Sequence, residues 1–518
     1  MTPRQRRIYE LSRDNAFLTK ASLLILGSCL LIGFVVSLFS NHEDWMPQEV
    51  ESLELYNLDA PPLPLEPQVA DFLDSELADL PWILELLIQA DPDKSTLLAQ
   101  ELAASSLSED EKTVAKALLG LPAESLKKVV ALTQATPTLR YAHYAHAVWQ
   151  LQHGEEVSAA RALEQEGLLF PEAVQARELA LYWYLETESF NDLERLSTEP
   201  VFQNEFSYFY RVELATVRNE WHKVLLYLMP YSYEHLSWTE TIPAIIVMLT
   251  WFLLCMQWAH LQSRDVKFML QAVAGVLLGA ASAVMTLFVV IWQKEVWGFY
   301  QGEDLLGNLI YYFAGVGLRE EFIKLLFFTP LLWISLKSRD EMRALILASC
   351  VGLGFAVEEN LSYYISYGTE VSIGRFLTAN FFHMSATGLC GLALFRVLAH
   401  RIHWDDMLYL FLIVVCVHGA YDSLIIIPEL SDFAIFSLTI YVYLCLYYFN
   451  ELKSLRSAGR NILSLKASFL LGLCSLVGLL VVMQSWTLGL HGAINMIGFE
   501  LTGLGIIIYM FMREFDQA

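Results

Sequence analysis

Residues 315–328 read GVGLREEFIKLLFF. Apolar sequence flanks this stretch at the density of a membrane-spanning helix, yet Arg319, Glu320, Glu321 and Lys324 sit in its middle. A charge at the centre of a bilayer costs about 2.5–3.5 kcal/mol even on a lenient insertion scale. Two adjacent carboxylates at that depth need partners, and the partners have to come from other spans.

The composition allows many spans. Of 518 residues, 55% are hydrophobic and 17% charged, which excludes a disordered chain and argues against an ordinary soluble enzyme. The first apolar run, 21–40 (ASLLILGSCLLIGFVVSLFS), is long enough to cross a ~30 Å hydrocarbon core. It follows Arg4, Arg6, Arg7, Arg13 and Lys20 and lacks a cleavage site of small residues, so it reads as an uncleaved anchor. Further runs fall near 241–262, 268–293, 307–336, 342–366, 375–399, 407–427, 431–450, 466–485 and 488–512, giving about ten spans. Loops at 263–267, 337–343, 400–406 and 451–466 are basic or mixed, whereas those at 294–306, 367–374 and 428–432 are acidic or neutral. The positive-inside rule then puts both termini in the cytoplasm. In a bacterium this means the inner (cytoplasmic) membrane, with residues 41–240 periplasmic.

That intervening segment is unlike the rest. Between residues 41 and 240, 35 acidic residues face 12 basic ones, which places nearly all of the net charge of -24 there. Such a segment does not suggest nucleic-acid binding. A linker with Pro61, Pro62, Pro64 and Pro67 leads into blocks with helical apolar spacing, among them VADFLDSELADLPWILELLIQA, EEVSAARALEQEGLL and EAVQARELALYWYLE. The blocks resemble a stack of helical hairpins of the tetratricopeptide type, and a plain helical bundle fits nearly as well. A stack of that kind would bind a protein partner. All seven cysteines lie in apolar runs outside it with no C-x-x-C spacing, so they read as packing residues. The expected fold is all-α: a polytopic membrane bundle with an extracytoplasmic helical domain inserted after the first span. The expected domains are 1–40, 41–240 and 241–518.

The polar residues within spans cluster in four consecutive ones: Glu320, Glu321 and Lys324; Glu358 and Glu359; His383; His418 and Asp422. Counted from the outer span edges at about 1.5 Å per residue, Asp422, Glu359, His383, His418 and Glu320 lie between the outer leaflet and the midplane. Glu320 and Lys324 are four residues apart and can pair on one helix face, as are His418 and Asp422. An Asp can fix a His tautomer. Carboxylates and histidines around one cavity suit activation of water against a peptide bond, and they suit binding of a borderline metal.

REEFIK has the pattern E-E-x-x-K, GFAVEEN has F-x-x-x-E followed by Asn360, FFH supplies His383, and HGAYD has H-x-x-x-D. In this order, on consecutive spans, the set resembles the PrsW family of intramembrane proteases, which are distant relatives of type II CAAX prenyl endopeptidases and Abi proteins. The resemblance covers about residues 240–430. It implies that Glu320 or Glu321 is the general base, that Glu359 helps hold the water or a metal, that His383 lines the cavity, and that His418 with Asp422 stabilises the oxyanion. Lys324 and Asn360 would support them. Candidate metal ligands are Glu320, Glu359, His383 and His418, with zinc as the candidate ion; a purely glutamate-based mechanism fits the same residues. Lys324 and Glu359 depart from the CAAX pattern, which weakens the case for a prenylated substrate. The family implies a membrane-anchored protein substrate, of the kind represented by anti-sigma factors.

Buried Glu, His, Asp and Lys also mark ion pathways in transporters, although no paired inverted repeats with broken helices are visible here. A catalytically silent scaffold is the third reading. Glu358 lies outside the family pattern and His491 stands alone in the last span, so both read as structural.

Overall fold

The computed structural model describes residues 2–39, 108–118, 124–259, 265–455 and 461–517. The Pro-rich linker and the block VADFLDSELADLPWILELLIQA lie outside the described residues. Among the described residues every regular element is helical. The chain divides into two units, one drawn from Met1–Pro47 and His235–Ala518, the other from Gln48–Glu234.

In the membrane unit α1 (Pro3–Leu11) precedes the anchor α2 (Asn15–Ser37). The anchor begins six residues before the apolar run because the Asp14 side chain accepts from the backbone N–H groups of Ala16 and Phe17 and so caps it there. The second unit contributes α3 (Glu109–Leu118), α4 (Glu124–Thr133), α5 (Ala142–Gln152), α6 (Glu156–Leu169), α7 (Val174–Glu186), α8 (Phe190–Ser197), α9 (Tyr208–Val217) and α10 (Trp221–Tyr233). Small and aromatic residues such as Ala145, Ala159, Ala180, Tyr184 and Phe202 form its core.

Its buried carboxylates serve a helix end or one or two side-chain partners. Glu166, fully buried on α6, accepts from the backbone N–H groups of Tyr141 (2.5 Å) and His143 (3.2 Å) at the start of α5. It caps a neighbouring helix whose own leading residue, Tyr141, has a φ of 65° and offers no side-chain cap. Burial raises the Glu166 carboxyl to about 7, against the lowering effect of those N–H groups and of Arg140. Glu164 receives two hydrogen bonds from Arg195, at 2.8 and 2.7 Å, and one from the Tyr184 hydroxyl at 2.7 Å.

The membrane unit resumes with α11 (Trp238–Trp258), α12 (Val266–Trp297), α13 (Leu305–Ile310), a π-helical segment Tyr311–Gly317, α14 (Leu318–Ser338) and α15 (Glu341–Tyr367). It continues with α16 (Ser372–Leu377), α17 (Ala379–Leu398), α18 (Trp404–Ile426), α19 (Ile435–Leu455), α20 (Leu465–Thr487), α21 (Gly489–Gly503) and α22 (Gly505–Gln517). Eight of the described helical stretches are long and apolar enough to cross a membrane, and α21 with α22, bent by 62°, makes a ninth. The expected tenth, 307–336, is helical over α13 to α14, but its charges keep it from counting as an apolar span.

Two devices position the polar residues. The first is close helix approach. Gly352 on α15 faces α17 so tightly that a Cβ there would lie 2.2 Å from the His383 carbonyl oxygen. Gly317 ends the π segment against α18, where a Cβ would meet the Val415 carbonyl at 2.7 Å. Gly419 returns the contact: its Cβ would meet Phe313 Cα at 2.7 Å. These glycines bring the first turn of α14 beside His418. The wide turns of the π segment immediately precede Glu320 and Glu321, the usual setting of π turns being a functional site.

The second device is a helix break. α16 ends at Leu377 and α17 starts at Ala379, so the last carbonyls of α16 lack helical partners inside an apolar span. Side chains supply the missing donors: Asn380 donates to the Arg375 carbonyl (2.7 Å), Trp251 to Phe376 (2.9 Å) and Tyr441 to Leu377, while the Gly374 carbonyl keeps the Thr378 backbone N–H (2.8 Å) and also receives the Thr378 hydroxyl (2.8 Å). Trp251 also packs on Phe376, Phe381, Phe469 and Phe511, which locks the break into the apolar core.

Candidate active site

All six candidate catalytic residues and both supporting ones lie on α14, α15, α17 and α18, and hydrogen bonds and ion pairs join them into one row. At its centre is Lys324, fully buried, its ammonium 2.8 Å from Glu321 Oε1, 3.3 Å from Glu320 Oε2 and 2.9 Å from His383 Nδ1. It also lies 4.0 Å above the Phe355 ring centroid. The expected i, i+4 pair with Glu320 is present as an ion pair, and the hydrogen bond goes to Glu321 instead.

On one side of this centre His418 Nδ1 lies 2.9 Å from Glu321 Oε1, while its Nε2 lies 3.3 Å from Asp422 Oδ2 and 3.7 Å from Glu320 Oε2. On the other side His383 Nε2 lies 2.8 Å from Glu359 Oε2. Each histidine thus has one nitrogen held by a carboxylate; the other faces Lys324 in His383 and lies between Asp422 and Glu320 in His418. A carboxylate behind a histidine fixes the tautomer and orientation of a metal ligand. The side chains of Glu359 and Asp422 are 25% and 20% exposed, whereas the other members of the row are buried, so the row is least enclosed at those two ends.

One ligand atom from each of Glu320, His383 and His418 lies within 4.8 Å of the others. Two imidazoles and a carboxylate are a donor set suited to catalytic zinc. Glu320 Oε2 and Glu321 Oε2 are buried without a hydrogen-bond partner, so the carboxylate oxygen a metal would take is available. The residues fit a divalent metal at this centre. Glu359, the fourth ligand candidate, is outside that group and stands behind His383.

Two residues that sequence reasoning missed belong to the row. Arg375 on α16 donates from Nη2 to Glu359 Oε2 (2.8 Å) and from Nε to Asn360 Oδ1 (2.6 Å). Asn380 links Asn360 (3.2 Å) to the Arg375 carbonyl (2.7 Å). Arg375 stands at the first position of the span 375–399, where an arginine passes for a flanking charge. A basic residue beside an otherwise acidic or neutral outer loop is the signal that could have exposed it.

Residues 269–449 match the family model of PrsW family intramembrane metalloproteases. That part of the chain is a PrsW-family intramembrane protease domain. No curated protein and no solved structure matches the chain. The PrsW match contains α14 to α18 and with them every residue of the row.

Proposed function

We propose that this PrsW-type protease hydrolyses a peptide bond in membrane-anchored protein substrates and that Glu320, His383 and His418 hold its metal, with zinc as the ion. The observation that carries the reading is the pair of histidines, each fixed from behind by a separate carboxylate and converging with Glu320. A bound divalent metal would supply Lewis-acid polarisation of a water and of the scissile carbonyl. The protein's own residues do the rest. Glu359 holds His383 and Glu321 holds His418, so that the near nitrogens face the centre. Lys324 balances two adjacent buried carboxylates. Glu321 Oε2, free of hydrogen bonds, accepts the proton of the attacking water and returns it to the leaving amine as the C–N bond breaks. Asp422 keeps His418 Nε2 in line at the less enclosed end of the row.

The loop charges support cytoplasmic termini in a bacterial inner membrane, with the acidic helical unit outside. Its consecutive short helices support a helical-repeat surface for a protein partner. The test is cleavage of a co-reconstituted single-span substrate together with metal content. Glu320→Ala, Glu321→Ala and His418→Ala are each expected to abolish cleavage. Glu321→Gln is expected to retain metal while losing turnover, whereas Glu320→Gln and His383→Ala lose metal. Retained cleavage in Glu320→Ala, Glu321→Ala and His418→Ala together overturns the reading.

A further inference from the structure

The row does not end at Glu359. Oε2 of Glu359, the oxygen that faces His383 Nε2, is also the oxygen that receives Arg375 Nη2 at 2.8 Å. A guanidinium has donors only, so that oxygen must accept from it. His383 Nδ1 in turn faces the Lys324 ammonium, another donor-only group. Of the two imidazole tautomers, only the one with its proton on Nε2 satisfies both neighbours: Nε2–H donates to Glu359, and the Nδ1 lone pair faces the centre.

Arg375 is itself fixed from three sides. Its Nε donates to Asn360, Asn360 donates to Asn380, and Asn380 donates back to the Arg375 carbonyl, closing a ring of hydrogen bonds among residues of three helices. Asn360 and Asn380 are fully buried. The guanidinium carbon lies 3.6 Å from the centroid of the Tyr363 ring, the stacked arrangement that a planar guanidinium favours. The helix break therefore does more than bend the chain. It delivers a cation, from a half-helix that carries none of the motif residues, to the back of the carboxylate that orients His383.

We propose that Arg375 is a positioning residue of the protease: by holding Glu359 in place it fixes the orientation of the His383 ring in which Glu359 and Lys324 together select the Nε2–H tautomer, so that Nδ1 is presented to the centre. The inference rests on the assignment of His383 to the metal centre. Second-shell partners of metal-bound histidines typically affect affinity or activity by about 10–100-fold.

The test uses the full chain in lipid nanodiscs with 15N-labelled histidine, and assigns His383 by difference from His383→Asn. In metal-free wild type the His383 ring is expected to be a single Nε2–H tautomer. Arg375→Gln is expected to give a mixture of tautomers, to lower kcat about 10–100-fold with KM little changed, and to weaken zinc binding by a similar factor. Arg375→Lys, which keeps a cation but loses the Asn360 hydrogen bond, is expected to keep the tautomer and recover most of kcat. An Arg375→Gln protein with a single tautomer and unchanged zinc affinity overturns the proposal. If Arg375→Gln does not fold, Arg375→Lys decides: a mixture of tautomers there, or a loss of kcat as severe as that of Glu359→Gln, overturns it. Absence of cleavage by wild type, with the tautomer still governed by Arg375, would count against the protease mechanism and leave the positioning role standing.

Discussion

The two units bury charge in different ways. In the acidic helical unit a buried carboxylate meets a helix end, as Glu166 does, or a small group of partners, as Glu164 does with Arg195 and Tyr184. In the membrane unit Asp422, His418, Glu321, Lys324, His383, Glu359 and Arg375 run side chain to side chain across five helices. The first pattern completes backbone hydrogen bonds and braces a fold. The second converges on a centre, where two adjacent carboxylates meet two histidines and a lysine. A buried charge is informative about chemistry when several carboxylates and histidines from different helices converge on it.

The sharpest way to break this contrast is to remove members of the row. Loss of either Glu320 or Glu321 is expected to reduce cleavage by at least about a thousandfold, read as single-turnover rates with reconstituted substrate. A chelator is expected to abolish turnover and zinc to restore it, measured on the same preparation; activity unaffected by exhaustive chelation would break the metal assignment.

A subtler attack leaves the row's chemistry intact and moves its helices. A methyl group at Gly317 or Gly352 must displace backbone, at a cost of about 1–3 kcal/mol of overpacking. Gly317→Ala and Gly352→Ala are expected to fold and to lose cleavage by 10-fold or more, because they separate α14 from His418 and α15 from His383. Wild-type rates in both would show that close approach does not set the geometry.

The helical unit should respond to pH where the row is not involved. The folded-state Glu166 carboxyl, at about 7, lies above its ordinary value of 4.5, so the native state binds the proton more tightly than the unfolded state. Stability of this unit should therefore fall as pH rises from about 4.5 to 7, by up to about 3 kcal/mol. Hydrogen exchange of α5 and α6 in the full chain reads this out, and Glu166→Gln should flatten the slope. His143, whose ring burial holds below the ordinary imidazole range, adjoins the group, and a slope that persists in Glu166→Gln would assign the titration to it. The smallest effect is expected for Arg195→Ala: half-exposed at its outer end, it should cost about 1 kcal/mol by thermal unfolding and leave cleavage unchanged.

Much of the membrane domain was legible in the sequence. Apolar run length locates the helices, and charge at membrane depth locates the row, because hydrocarbon makes both signals expensive to violate. The partners of each charge were less legible. Spacing pairs Lys324 with Glu320 and Glu321 on its own helix, but the contact of His418 with Glu321 depends on how α14 packs against α18, where Gly317 and Gly419 allow close approach. Arg375 was hidden because an arginine at a span's edge looks like an anchor; only the break at Thr378 turns it inward. The choice between ligand and base for the two glutamates rests on contacts across helices, which linear spacing does not carry.

The backbone N–H of Gly374, one residue before Arg375, donates to Glu500 Oε1 at 2.7 Å. Glu500 lies on α21, some fifty residues beyond the end of the PrsW match. The contacts that hold this half-helix therefore extend beyond the family match. A minimal version cut at residue 449 would keep every motif and lose the prop under the half-helix that carries Arg375. Grafting the signature alone onto another scaffold would lose the same prop.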